Sequence, residues 1–142
     1  MDDEAFLKSF EDCSWPYNQW NHRAHLKVSY LYLRRHPLEE AVKKVCAGIR
    51  AYNKSKNVPE GPTMGYHETM TQAWVRLMHF TLCEYGFAET AEAFLDQQPQ
   101  LSQKNLLRFF YSKERFMSPE AKARYLEPDL TAFPKSLKTV KF

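Results

Sequence analysis

The sequence predicts an all-α fold, a compact single-domain bundle of about five to seven helices built on three long ones. Apolar residues recur with the helical period along most of the chain. Strict alternation of apolar and polar residues, the pattern of a half-buried strand, is absent over any useful length. Proline and asparagine also stand where helices would start or stop, as at Pro37 and Pro119. These three observations favour helices packed on helices.

The first two helices are predicted at 3–12 and from about 18 or 21 to 35. In the first, the apolar side chains Phe6, Leu7 and Phe10 fall on one side. The segment 14–18, with its proline, breaks the pattern. Either Asn18 or Asn21 is a plausible N-cap for the second helix, which ends before the His36-Pro37 pair.

A third helix is predicted at 38–52, because Pro37 suits a helix start and the following residues form the clearest amphipathic pattern in the chain. Its opposite side carries Lys43, Lys44 and Arg50, which read as a solvated face. The next segment, 53–65, contains two prolines and two glycines and is predicted to be irregular.

The fourth long helix is predicted at 66–85, with Gly86 as a natural C-terminal residue. Shorter helices are predicted at 88–97, 103–111 and 118–126, the last of them capped by Ser118. A single helical domain therefore covers 1–142, with an extended C-terminal tail from about 127.

Composition narrows the function classes. Apolar residues make up 44% of the 142 residues, which is enough for a globular core. The net charge of +3 does not suggest a dedicated nucleic-acid-binding protein. No apolar run approaches the about 18 residues of a membrane span, and the acidic start Asp2-Asp3-Glu4 is unlike a signal peptide. The three cysteines form no CxxC pair, so we expect a reduced, cytoplasmic protein.

The clearest indication of a functional site comes from two short segments that contain histidine, the histidine strings 20–26 (WNHRAHL) and 65–69 (GYHET). On a helix, His22 and His25 lie about 60° apart on one face. A second helix starting near Tyr66 would present His67 or Glu68 to that face. The pattern predicts a divalent transition metal (Zn, Fe or Cu) on His22, His25 and His67.

Glu68 has three candidate roles: third ligand, outer-shell acceptor, or general acid or base beside the metal. We favour the acid or base. In a regular helix His67 and Glu68 point about 100° apart, so both face one site only at an irregular first turn. The structural alternative is that these histidines are ordinary half-buried residues and that Glu68 forms an ion pair with Arg23.

Together with 111–121 (YSKERFMSPEA) and 127–130 (EPDL), the two histidine strings resemble a family of short, mostly uncharacterised bacterial helical proteins. That family is marked by W/F-x-H-x-x-H-L and Y-H-E-T signatures. The resemblance covers about 15–134 and implies a small helical protein in which His22, His25, His67 and Glu68 matter. It implies no particular reaction.

The segment 111–128 is a candidate lid or brace over the main helices. In that position Arg108, Lys113 and Arg115 would be available to an anionic substrate, although a solvated charged face is equally consistent with the pattern. The lysine-rich tail, Lys135 to Lys141, is a weaker candidate for binding an acidic partner.

Two hypotheses follow. The first is a small metal-dependent enzyme, hydrolytic or oxidative, that acts on a small molecule with Glu68 as the catalytic residue. The second is a non-enzymatic helical module, possible as a homodimer, in which the histidines hold the second and fourth helices together. Ring nitrogens that converge beside a cavity would favour the first hypothesis, and ring nitrogens bonded to backbone carbonyls would favour the second.

Overall fold

A computed structural model describes residues 2–133, and over this range the protein is all-α, as predicted. The α-helices are α1 (Asp3–Glu11), α2 (His22–Arg35), α3 (Leu38–Ser55), α4 (Glu68–Tyr85), α5 (Ala91–Gln97), α6 (Lys113–Phe116) and α7 (Pro119–Ala123). Short 3-10 helices lie at Tyr17–Gln19, Pro99–Ser102 and Lys104–Phe109. No strand occurs within residues 2–133; an isolated bridge joins Gly61 and Met64.

The three long helices α2, α3 and α4 pack against one another and form the centre of the fold. Helix α1 packs on α2 and α3, α5 packs on α2, and α7 packs on α4. Most of the side chains of α2 from Leu26 to Leu33 are buried, because this helix has neighbours on several sides. No helix in the described part of the chain combines the length and apolar character needed to cross a membrane.

Several helix ends lie where the sequence predicts them, either at a residue whose side chain caps the helix or at a glycine. Asn21 accepts a hydrogen bond from the backbone N–H of Ala24 at 2.9 Å, which fixes the start of α2. Gly86 ends α4 with a φ of 79°, a conformation that a glycine adopts without strain. Ser118 caps α7 through the N–H of Ala121.

Five helix boundaries differ from the predicted ones, beginning with the end of α1 at Glu11 rather than residue 12. Helix α3 continues to Ser55, α4 starts at Glu68, and α5 starts at Ala91 with Thr90 as its N-cap. Helix α7 ends at Ala123 rather than near residue 126. The last difference has a clear tertiary cause, since the hydroxyl of Thr69 on α4 donates to the carbonyl of Arg124 and accepts from the N–H of Leu126. These bonds hold the chain extended where the helix would otherwise continue.

The segment predicted as a helix at 103–111 is instead a 3-10 helix, Lys104–Phe109. Beyond α7 the chain does not simply trail away as a surface tail. Asp129 accepts from the N–H of Ser112, Leu130 donates to the carbonyl of Phe110, and Phe133 is buried. Residues 111–133 thus brace the bundle, as one of the two predicted alternatives for 111–128 proposed. The lysine-rich segment 135–141 lies outside the described residues.

Candidate functional site

His67 is the N-cap of α4, and both of its ring nitrogens are used in hydrogen bonds. Nδ1 accepts from the backbone N–H of Met70 at 2.9 Å. Nε2 lies 3.0 Å from the carbonyl of Phe116, and it carries the proton, because Nδ1 already acts as an acceptor. The ring also stacks on Phe116, with centroids 4.9 Å apart. This neutral imidazole therefore joins α4 to α6 and leaves no ring lone pair for a metal.

Glu68, the next residue, points to the other side of the helix start, toward α3. One carboxylate oxygen accepts from the Tyr66 hydroxyl at 2.6 Å and from Nη1 of Arg50 at 3.3 Å. The other oxygen accepts from the side-chain amide of Gln72 at 2.6 Å and from the Cys46 thiol at 3.7 Å. The carboxylate is surrounded by donors and its side chain is only 17% exposed. As the first residue of α4, it also lies at the positive end of the helix dipole.

The thiol and hydroxyl that contact Glu68 stay protonated. Burial raises the pKa of the Cys46 thiol to about 11, with the neighbouring Glu68 carboxylate acting in the same direction. Burial likewise raises the pKa of Tyr66, and the neighbouring Cys46 thiol and the hydrogen bond to Glu68 add to that effect. Both groups act as hydrogen-bond donors at neutral pH, and Cys46 is not an activated nucleophile.

Arg50 lies between this cluster and solvent. Its guanidinium is 5.3 Å from the centre of the Tyr66 ring and its side chain is 54% exposed. Both of its hydrogen bonds, to Glu68 and to the Tyr66 hydroxyl, use Nη1. Nε and Nη2 have no acceptor among the described residues, so they remain able to donate to a ligand.

The Arg50–Glu68–Tyr66 cluster forms one wall of a cavity of about 730 Å³. The other walls come from the C-terminal half of α3, the loop 56–67 and α7. The lining residues are Arg50, Asn53, Lys54, Val58, Glu60, Gly61, Pro62, Tyr66, Glu68, Pro119, Lys122 and Ala123. We call this space the α3–α7 cavity.

His22, the first residue of α2, is bonded to a distant backbone group. Its Nε2 lies 2.8 Å from the carbonyl of Leu101, and its ring meets Trp74 of α4 edge-on at 4.5 Å. Burial lowers the pKa of His22. The neutral ring thus donates to a carbonyl and links α2 to the 3-10 helix Pro99–Ser102 and to α4.

His25 lies one turn further along α2, as predicted, and stacks beside Trp20 at 6.3 Å. The residue as a whole is partly buried, but Nε2 is enclosed and has no hydrogen-bond partner among the described residues. Burial lowers the pKa of His25 to about 4, with a smaller contribution from His22. His25 is therefore neutral at physiological pH.

The structure places the four predicted site residues in three separate environments. His22 binds Leu101, His67 binds Phe116, and Glu68 faces α3. Within residues 2–133, no three His, Cys, Asp or Glu side chains form a group that could hold a metal ion. Bonds from ring nitrogens to backbone carbonyls, as seen for His22 and His67, are what the second hypothesis predicts.

The structure also gives two arginines partners other than the predicted ones. Arg23 does not pair with Glu68; it binds Glu92 and Asp96 on α5. Arg115 donates to the carbonyl of Glu127 and so ties the brace together.

Sequence reasoning missed Arg50, which it assigned to a solvated face. The missed signal was spacing: Cys46 and Arg50 lie four residues apart on α3 and therefore share a face. That spacing alone would not have identified the partner, because Glu68 follows on α4, beyond the loop 56–67.

Comparison of the chain with protein-family models, with curated proteins and with solved structures found no match. The resemblance suggested by the sequence motifs stays a prediction. Function is therefore inferred from the geometry of the chain itself.

Proposed function

We propose that the protein binds a small polar anion in the α3–α7 cavity, with Arg50 as the main anion-binding group. The observation that carries this proposal is the guanidinium of Arg50, which is held by Glu68 and Tyr66 on one side and keeps Nε and Nη2 for a ligand on the other. A guanidinium held in one orientation suits a carboxylate or phosphate, because its planar donors match two acceptor oxygens.

The charges around the cavity support an anionic ligand. Arg50, Lys54 and Lys122 line it together with the carboxylates Glu60 and Glu68. Glu60 is engaged by Lys122 at 3.1 Å and by the backbone N–H of Tyr66 at 3.0 Å. Lys54 has no ion-pair partner in the described part of the chain. A bound anion would add the missing negative charge.

Glu68 has a positioning role in this proposal. Its two oxygens already accept from four donors, so abstracting a proton from a substrate would require that network to rearrange. Holding Arg50 in place requires no such change. Preorganised charge of this kind increases affinity, because the side-chain entropy is lost on folding rather than on binding.

The test is calorimetric titration of the purified full-length chain with citrate and with glycerol 3-phosphate, and with glycerol as the neutral probe. We expect at least one anion to bind and glycerol not to bind. In Arg50→Ala the affinity should fall about tenfold or more, since a charge-assisted hydrogen bond contributes roughly 1.5–3 kcal/mol. Failure of both anions to bind the wild-type protein would overturn the proposal.

Two further variants sharpen that result. Arg35→Ala removes an exposed arginine of α2 and should leave anion binding unchanged. Glu68→Gln keeps a carbonyl acceptor for Tyr66 but removes the charge that holds Arg50, so we expect weaker binding in a folded protein. Equal losses in the Arg35 and Arg50 variants would show that net charge, not the cavity, controls binding.

A metal-dependent enzyme with ligands His22, His25 and His67 is the second proposal. The observation that favours it is the buried Nε2 of His25, which has no partner among residues 2–133. For His67 to act as a ligand, the coordinating ring nitrogen would have to release its present partner, Met70 at Nδ1 or Phe116 at Nε2. Elemental analysis of wild-type protein and of a His22→Ala, His25→Ala double variant tests the proposal. Stoichiometric metal in the wild-type protein, and its absence from a double variant that still folds, would support the proposal.

A cytoplasmic location is part of the proposal as well. Cys13, Cys46 and Cys83 are free thiols, which fits a reducing compartment.

A further inference from the structure

A second cavity, of about 340 Å³, lies between α4 and the segment 104–117. We propose that it binds a single-chain amphipathic anion, a molecule with an apolar body and one carboxylate or sulfonate head. The lining residues are Met70, Trp74, Lys104, Asn105, Leu107, Arg108, Tyr111, Lys113, Phe116 and Met117. None of these residues lines the α3–α7 cavity, so the two sites are separate.

The interior wall of this second cavity is apolar and aromatic. Trp74, Leu107 and Tyr111 are buried, and Phe116 packs against Tyr111 with ring centroids 5.6 Å apart. The wall therefore suits the hydrocarbon part of a ligand, whose transfer from water is favourable in proportion to the apolar area buried.

Two methionines lie at the entrance. Met70 is 36% exposed and Met117 is 57% exposed. Methionine side chains are unbranched and flexible, so they adapt to apolar chains of different shape. This feature favours a flexible aliphatic body in the ligand.

The rim of the second cavity is cationic. Lys104, Arg108 and Lys113 are exposed lining residues, and no aspartate or glutamate lines the cavity with them. None of the three forms an ion pair with the described residues. Three uncompensated cations beside an apolar wall match a ligand with an anionic head and an apolar body.

Two of the predicted site histidines, His22 and His67, hold the walls of this second cavity to the long helices. His22 contacts Trp74 and bonds to the Leu101 carbonyl, just before the segment that carries Lys104 and Arg108. His67 stacks on Phe116 and bonds to its carbonyl. Both walls are therefore held to the long helices before any ligand arrives, which lowers the ordering cost of binding.

The test uses decanoate below its micelle concentration, with decyltrimethylammonium as a probe of the same chain length and opposite charge. Calorimetric titration of the full-length chain should show binding of decanoate only. Bromine-labelled decanoate should quench tryptophan fluorescence, and the quenching should be smaller in Trp74→Phe, because Trp74 lines the site. Equal binding of both head groups, or of neither, would overturn the proposal.

A matched pair of triple variants separates the site from net charge. Lys104→Gln, Arg108→Gln, Lys113→Gln should lower decanoate affinity about tenfold, the sum of three exposed charge contributions. The control triple Arg35→Gln, Lys43→Gln, Lys44→Gln removes the same charge from α2 and α3 and should keep wild-type affinity. Equal affinities in the two triples would contradict the proposal. So would binding to phosphatidylglycerol vesicles without binding to free decanoate, since that result indicates a lipid surface as the ligand.

Discussion

His67 combines two structural tasks in one ring. Its Nδ1 caps α4 and its Nε2–H holds the carbonyl of Phe116. Only the neutral tautomer protonated at Nε2 performs both tasks. Burial also lowers the pKa of His67, which keeps that form dominant at neutral pH.

Replacing His67 should therefore lower stability in two separable steps. In His67→Ala we expect a loss of about 2 kcal/mol in the free energy of unfolding, about 1 kcal/mol from the N-cap and a similar amount from the bond to Phe116. His67→Asn keeps a capping side chain and should lose only about half as much. Urea denaturation measures both values.

Thr90→Ala is the matched control for the N-cap contribution. The Thr90 hydroxyl caps α5 by accepting from the N–H of Ala93 at 3.0 Å, and its side chain makes no other hydrogen bond with the described residues. Its loss should be close to 1 kcal/mol. If His67→Ala and Thr90→Ala cost the same, the bond to Phe116 contributes nothing.

At the scale of elements, the contact between α1 and α3 depends on a glycine. A Cβ built on Gly48 would lie 2.7 Å from a ring carbon of Phe10. Phe10 is buried and stacked near Trp20 and Tyr52, so its ring has little room to move. The helices approach this closely because residue 48 has no side chain.

Gly48→Ala should consequently destabilise the protein, although alanine is the better helix former by about 1 kcal/mol. Overpacking typically costs about 1–3 kcal/mol, so we expect a net loss. Urea denaturation of Gly48→Ala, Phe10→Leu and the double variant measures the coupling. A smaller loss from Gly48→Ala in the Phe10→Leu background would confirm the clash, whereas a more stable Gly48→Ala protein would rule it out.

Ala47→Gly, at the neighbouring exposed position of α3, measures the propensity contribution alone. It should lose about 1 kcal/mol.

At the scale of the whole molecule, the three histidines make stability depend on pH. Burial lowers the pKa values of His22, His25 and His67 in the folded state relative to the usual 6.5. The unfolded chain therefore binds more protons than the folded chain below about pH 6.5. Their stabilising effect is fully present above that pH and is lost as the pH falls toward the folded values.

His25 should dominate this pH effect, because its folded pKa is about 4. Between pH 7 and pH 5 the free energy of unfolding should fall by about 2 kcal/mol from this residue alone. Urea denaturation at several pH values measures the slope. His25→Gln should flatten it, and His36→Gln, at the end of the same helix, serves as the control variant. An unchanged slope in His25→Gln would contradict the assignment.

Much of the fold was predictable from local pattern, and the site was not. The apolar period of α2, α3 and α4, the Asn21 cap and the Gly86 terminus are local signals, so the sequence located the three long helices to within a few residues. The end of α7 was misplaced because Thr69, some 55 residues away, sets it. The pairing of Arg50 with Glu68 was missed for the same reason.

The sequence alone determined the helical class and the long elements, because periodicity and capping residues are local signals. It also singled out His22, His25, His67 and Glu68, whose functional importance stays a prediction. Only the tertiary structure decided what those residues contact. The direction in which each imidazole points depends on which carbonyl the fold brings within about 3 Å. The orientation of each ring therefore depends on how α2 and α4 pack against the segment 99–117, which no local sequence pattern predicts.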